Sequence, residues 1–184
     1  MHLNRAIVLI LLFLVGHKIA LAQIFNGSGS VDFVSVAPQE TIKASSDNLK
    51  GLIDLENQTF AFVLSVQSFE GFNSPLQKEH FNEHYLETKK YPNAEFSGKI
   101  IGMDDCKGPC KKTAYAKGKL KIHGITRVIT IPVFVERKDE LISATADFKV
   151  ALHSFDITVP RILESKIALE IAIHVNAVFS ISDE

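Results

Sequence analysis

The stretch "LISATADFKVAL", residues 141–152, alternates strictly from Ile142 to Val150. Ile142, Ala144, Ala146, Phe148, Val150 and Leu152 fall on one side, and Ser143, Thr145, Asp147 and Lys149 on the other. Period two over this length is the signature of a half-buried strand. Its apolar side carries two alanines at the centre. Protein interiors are close-packed, so small inward residues either face large partners or leave space.

The same alternation extends outward along the chain. "RVITIPVFVERK" (127–138) aligns Ile129, Ile131, Val133 and Val135, and "KIALEIAIHVNA" (166–177) aligns Ile167, Leu169, Ile171, Ile173 and Val175. "TFAFVLSV" (59–66) aligns Phe60, Phe62, Leu64 and Val66, and "GKLKIHG" (118–124) aligns Leu120 and Ile122. With further candidates near 30–36, 40–46, 49–55 and 94–103, about eight or nine strands are expected. Strands with one polar and one apolar face, in mostly antiparallel order, make a sandwich or a closed barrel. Ala114, Ala116 and Gly118 join Ala144 and Ala146 as small inward positions. An eight-stranded barrel is just wide enough to hold one ligand, so these residues favour a barrel with a cavity.

Only residues 75–90 read as helical. They include His80-Phe81-Asn82-Glu83-His84, which fits H-x-x-E-H, a zinc-protease pattern. His80 and His84 at i and i+4 share a helix face. A catalytic zinc also needs a third protein ligand and an open position, and no residue of the sequence is placed to serve. A solvated helix face is the simpler reading, with no metal and no cofactor expected.

Residues 1–22 read as a cleavable signal peptide: Arg5, an apolar run from Ala6 to Val15, and Ala20-Leu21-Ala22 ahead of cleavage before Gln23. The run is about half the length of a membrane span, so an exported chain without stable membrane insertion is expected, periplasmic or secreted. The remaining 23–184 form a single expected domain. The leader holds Arg5 and Lys18, which leaves 18 of 20 basic residues against 21 acidic ones, a formal charge of −3. No basic block is present, which argues against nucleic acid as a partner. Cys106 and Cys110 bracket Gly108-Pro109, and in an exported protein such a pair is expected to form a disulfide.

Three blocks carry a family resemblance: "LQKEHFNEHYLETKKYPNAEFSGKI" (76–100), "AKGKLKIHGITRVITIPVFV" (116–135) and "FDITVPRILESKIALEIAIHV" (155–175). In this order they resemble the YceI-like family, bacterial lipid- and polyisoprenoid-binding domains with a lipocalin-like barrel. The resemblance covers roughly residues 28 to 178. Two departures stand out. The chain has no Trp and reads "GSGSVDFVSVAP" (27–38) where many members carry a tryptophan, an aspartate and a His-Ser pair. "HSFDITVPRI" (153–162) replaces a glycine-containing loop. The fold should tolerate both, and they bear on the ligand.

The resemblance implies an all-β, antiparallel, lipocalin-like barrel with one short helix at its mouth, where Leu76, Phe81 and Tyr85 face inward. It places His123 in a turn at a strand end, held by hydrogen bonds. The implied function is non-catalytic carriage of a long apolar ligand: a polyisoprenoid, a quinone or a fatty-acid-like lipid. From alternation the lining is expected to comprise Phe33, Phe60, Phe62, Leu64, Phe96, Leu120, Ile131, Val133, Ala144, Ala146, Phe148, Leu169 and Ile171, with Phe81 and Tyr85 added from the helix. Two rival readings are a zinc-dependent hydrolase using His80, Glu83 and His84, and a filled barrel acting through its surface. Assembly is left open between monomer and homodimer.

Overall fold

Eight strands follow one another in chain order around a closed antiparallel barrel. They are β1 (Ile24–Val36), β2 (Thr41–Asp54), β3 (Thr59–Ser65), β4 (Asn93–Ile101), β5 (Cys110–Ile122), β6 (Ile125–Lys138), β7 (Leu141–Ala151) and β8 (Glu170–Ile181). The computed structural model describes residues 24–104, 106 and 108–181, so the expected leader and its cleavage site lie outside the described residues. β8 returns to β1, with Phe33 opposite Ile173 and Phe25 opposite Ile181.

The sequence suggested up to nine strands, because 40–46 and 49–55 read as two. They are one strand, β2, broken in phase by a bulge. Val31 pairs with Ser46 and Gly29 with Leu49, so β2 takes three steps where β1 takes two. The extra residue flips the alternation: Ile42, Ala44 and Ser46 are buried before the bulge, Leu49 and Ile53 after it. Ser46 holds the bulge from inside. Its Oγ accepts the Asn48 N–H at 3.2 Å and lies 2.6 Å from Ser68 Oγ. Such a kink turns a strand sharply while keeping its apolar side inward.

The hairpin turns 55–58 and 139–140 and the 102–109 connection close one end, which we call the floor. Here Phe25, Ala114, Ile142 and Phe179 are at most 1% exposed. Gly27 and Gly51 lie directly beneath the rings of Phe179 and Phe62, where any side chain would collide with them. The glycines let both rings lie across the strands and plug the barrel. Cys106 and Cys110 are joined as a disulfide with Cα atoms 5.8 Å apart. Arg137, itself buried, donates from Nη1 to the Cys106 carbonyl at 3.1 Å and sits over the Phe25 ring. The opposite end carries the 37–40 turn, the long 66–92 segment, the His123-Gly124 turn and the 152–169 segment. His123 (φ 51°) and Gly124 (φ 76°) both take left-handed conformations, as a two-residue hairpin of the primed type requires.

Candidate functional site

Above the plugged floor the barrel encloses a cavity of about 600 Å³, within the ~300–1,000 Å³ range of ligand pockets. Small residues make the space. Ala144 and Ala177 are directly paired between β7 and β8, Ala146 stands opposite Val175, and Ala116 pairs with Ile131. All of these line the cavity. Larger apolar groups complete the wall: Phe33 from β1, Phe62 and Leu64 from β3, Phe96 from β4, Leu120 from β5, Val133 from β6, Phe148 from β7 and Ile171 and Ile173 from β8.

Two expected lining residues are elsewhere. Phe60 points inward but lies among the floor residues, 4% exposed, with its ring 5.4 Å from that of Phe62 and 4.7 Å from that of Phe96. Alternation reports which way a side chain points and is silent on its height along the barrel. Leu169 is 51% exposed. β8 starts only at Glu170, so the residue belongs to the preceding loop, where its carbonyl accepts the Leu152 N–H at 3.0 Å. The turn that precedes it breaks the period that seemed continuous in sequence.

The mouth is built from the 66–92 segment. Ser74 caps helix α1 (Pro75–His80) by accepting the Gln77 N–H at 3.2 Å, and Pro75 supplies a pre-set first helical residue. The helix then widens into a π turn over Phe81–Tyr85, closed by the Leu86 N–H donating to the Phe81 carbonyl at 2.9 Å. Leu76, Phe81 and Tyr85 line the cavity from this segment. Phe81 stacks on Phe33 with centroids 5.5 Å apart, and Phe69 and Phe72 meet Phe33 edge-on at 5.2 and 5.9 Å. Phe69 and Phe72 come from irregular backbone, where no periodicity could announce them. Burial pushes the Tyr85 phenol above its ordinary pKa, so its ring stays neutral. Glu40 fastens the segment to the β1–β2 turn, its Oε1 accepting from Asn73 Nδ2 and from Gln77 Nε2, each at 3.0 Å.

His80 and His84 lie side by side, ring centroids 5.3 Å apart, both exposed. Among the described residues no group of three His, Cys, Asp or Glu side chains converges as a metal site. Glu83 pairs with Lys89 at 3.0 Å, and this ammonium holds its carboxyl below the usual range, which makes it a weak base.

The geometry is that of a plugged barrel with a helix-lipped apolar cavity, and the family model for the YceI-like domain matches residues 23–179. The chain belongs to the YceI-like family. No curated protein matches the sequence. Among solved structures, this YceI-like barrel is similar to a polyisoprenoid-binding domain from Saccharophagus degradans. The TM-score is 0.74 at 14% identity, covering 88% of this chain and 100% of that one. It is also similar to BcnA from Burkholderia cenocepacia, with a TM-score of 0.69 at 18% identity over 82% of this chain and 95% of that one. The Campylobacter jejuni YceI protein follows, at 0.60 and 15% identity, over 92% and 93%. At these identities the likeness is one of fold.

Proposed function

We propose that this YceI-like protein is an exported carrier that holds one long apolar molecule in its barrel without chemically altering it. The observation that carries this reading is the cavity of about 600 Å³ beneath the aromatic mouth. A filled barrel would have no such space. At about 30 Å³ per water-sized group, it admits a chain of on the order of 20 carbons. Burying each methylene contributes about 0.8 kcal/mol, so ten to fifteen buried carbons supply roughly 8–12 kcal/mol before ordering costs. A polyisoprenoid, a quinone tail or a fatty-acid-like chain meets that description. The fold shared with a polyisoprenoid-binding domain supports the same class.

In this reading Phe33, Phe62, Leu64, Phe96, Val133, Ala144, Ala146 and Phe148 contact the chain, and Phe81 and Tyr85 cover its outer end. The leader-like first 22 residues support a carrier that works outside the cytoplasm, periplasmic or secreted. No described helix is long and apolar enough to cross a membrane. Mass spectrometry of an organic extract, made from protein purified without detergent, tests the proposal. A long-chain apolar species at near-stoichiometric yield is expected. An extract free of lipid, together with failure of the protein to take up an environment-sensitive apolar dye, would overturn it.

A further inference from the structure

The polar groups at the mouth are unequally occupied. Ser35 is buried at 2% exposure, and its Oγ accepts the Ala168 N–H at 2.9 Å. The Ser74 hydroxyl is taken by the helix cap. Gln77 Oε1 accepts the Asn73 N–H at 3.0 Å while its amide donates to Glu40, whose Oε1 also takes Asn73 Nδ2. Glu95 pairs with Lys121 at 3.5 Å. Ser35, Ser74, Gln77, Glu40 and Glu95 all line the cavity, and each already has a partner within the protein.

Lys166 also lines the cavity and differs from them. Among the described residues its ammonium has no ion-pair or hydrogen-bond partner. Its backbone is well held. The Lys166 N–H donates to the Leu163 carbonyl at 2.9 Å, and the neighbouring Ser165 carbonyl accepts the Gln39 N–H at 2.8 Å. The turn bearing Lys166 is therefore pinned beside the turn bearing Glu40, with Leu163 and Ile167 facing the cavity alongside it. An ammonium has three donors and no acceptor. Lys166 is the one lysine or arginine among the described lining residues, and its unpaired ammonium complements a ligand end that only accepts.

We propose that the ligand ends in an anionic group, a carboxylate or a phosphate, which Lys166 holds at the mouth while the chain fills the cavity. The inference rests on the carrier reading and specifies its ligand as an amphiphile. A cationic end would meet Lys166 as a like charge, and an uncharged end would leave it unpaired.

The test titrates delipidated protein with three probes sharing one chain: palmitate, hexadecyl phosphate and hexadecanol. Either anion should bind wild type about fivefold more tightly than hexadecanol, the size expected of a partly exposed ion pair. The tighter of the two anions identifies the head group as carboxylate or phosphate. In Lys166→Met the three affinities should converge on that of hexadecanol, whereas Lys166→Arg should retain the preference. Raising the ionic strength should shrink the preference in wild type. Equal binding of palmitate, hexadecyl phosphate and hexadecanol to wild type, or a preference that survives Lys166→Met, overturns the head-group assignment and leaves the carrier reading standing. Failure of all three probes to bind overturns both.

Discussion

His123 Nε2 lies 2.7 Å from Glu87 Oε2, joining the β5–β6 turn to the segment that follows the π turn. The other ring nitrogen, Nδ1, faces the Phe155 carbonyl at 3.1 Å, and Tyr91 packs edge-on against the ring at 4.9 Å. One imidazole thus ties three separate pieces of the mouth together. His123→Asn keeps a residue that tolerates the left-handed backbone but cannot span both contacts. We expect it to lower stability by about 1–2 kcal/mol. Faster hydrogen exchange should be confined to residues 86–92 and 152–157, with the strands unaffected. Unchanged exchange at those amides would show that the histidine does not hold the mouth.

Ala146 is 6% exposed and lines the cavity. Overpacking a dense core costs about 1–3 kcal/mol, whereas filling a void costs less. Ala146→Phe is therefore expected to keep a thermal midpoint near wild type while losing bound lipid. Wild-type lipid content in the variant would mean that this part of the wall does not contact the ligand.

The Cys106–Cys110 bridge closes a very short loop at the floor. Chain entropy puts its contribution at about 2 kcal/mol. Denaturation with and without reductant should differ by no more than that, with the cavity intact in both forms. A collapse of the barrel on reduction would assign the disulfide a larger structural part.

Asp54 accepts the Asn57 N–H at 2.9 Å and Asn57 Nδ2 at 2.8 Å. These bonds, the backbone one first, hold its carboxyl below the ordinary value of 3.8. The folded value is depressed, so the stabilisation is present above the unfolded pKa and is lost as pH falls through the folded one. An NMR titration should find the Asp54 midpoint below 3.8, and Asp54→Asn should remove this component of acid sensitivity. A midpoint at or above 3.8 would contradict the bonding.

His84→Ala should leave fold, lipid content and metal content as in wild type, because among the described residues no third ligand converges on His80 and His84. Stoichiometric zinc in the purified protein, lost on this substitution, would revive the hydrolase reading.

The inward faces of β6, β7 and β8 were legible in sequence because apolar residues recur there at every second position. Ala144, Ala146, Ile131, Val133 and Ile171 all line the cavity. The signal fails where backbone departs from regular strand. Asp47 and Asn48 lie at the bulge, are both polar, and so made one strand read as two. Leu169 follows the alternation of β8 but stands one residue before its start. Phe60 points the right way at the wrong height, since height depends on which neighbours plug the floor. Phe69 and Phe72 cover the mouth from a loop, and only the density of phenylalanines in "SFEGFNSPLQKEHF" (68–81) hinted at them.

Seven of the strand pairings join neighbours in the chain, and one brings β8 back to β1. Short loops favour local pairing at most of these neighbours, the 66–92 and 152–169 segments excepted, whereas the closing pair is separated by nearly the whole described chain. Until they meet, β1 and β8 are unsatisfied edges, the kind of surface that recruits foreign strands. The inner wall is then merely one side of an open, greasy ribbon. The container exists only once β8 lies against β1, so a chain lacking that one pairing has walls but no enclosed space.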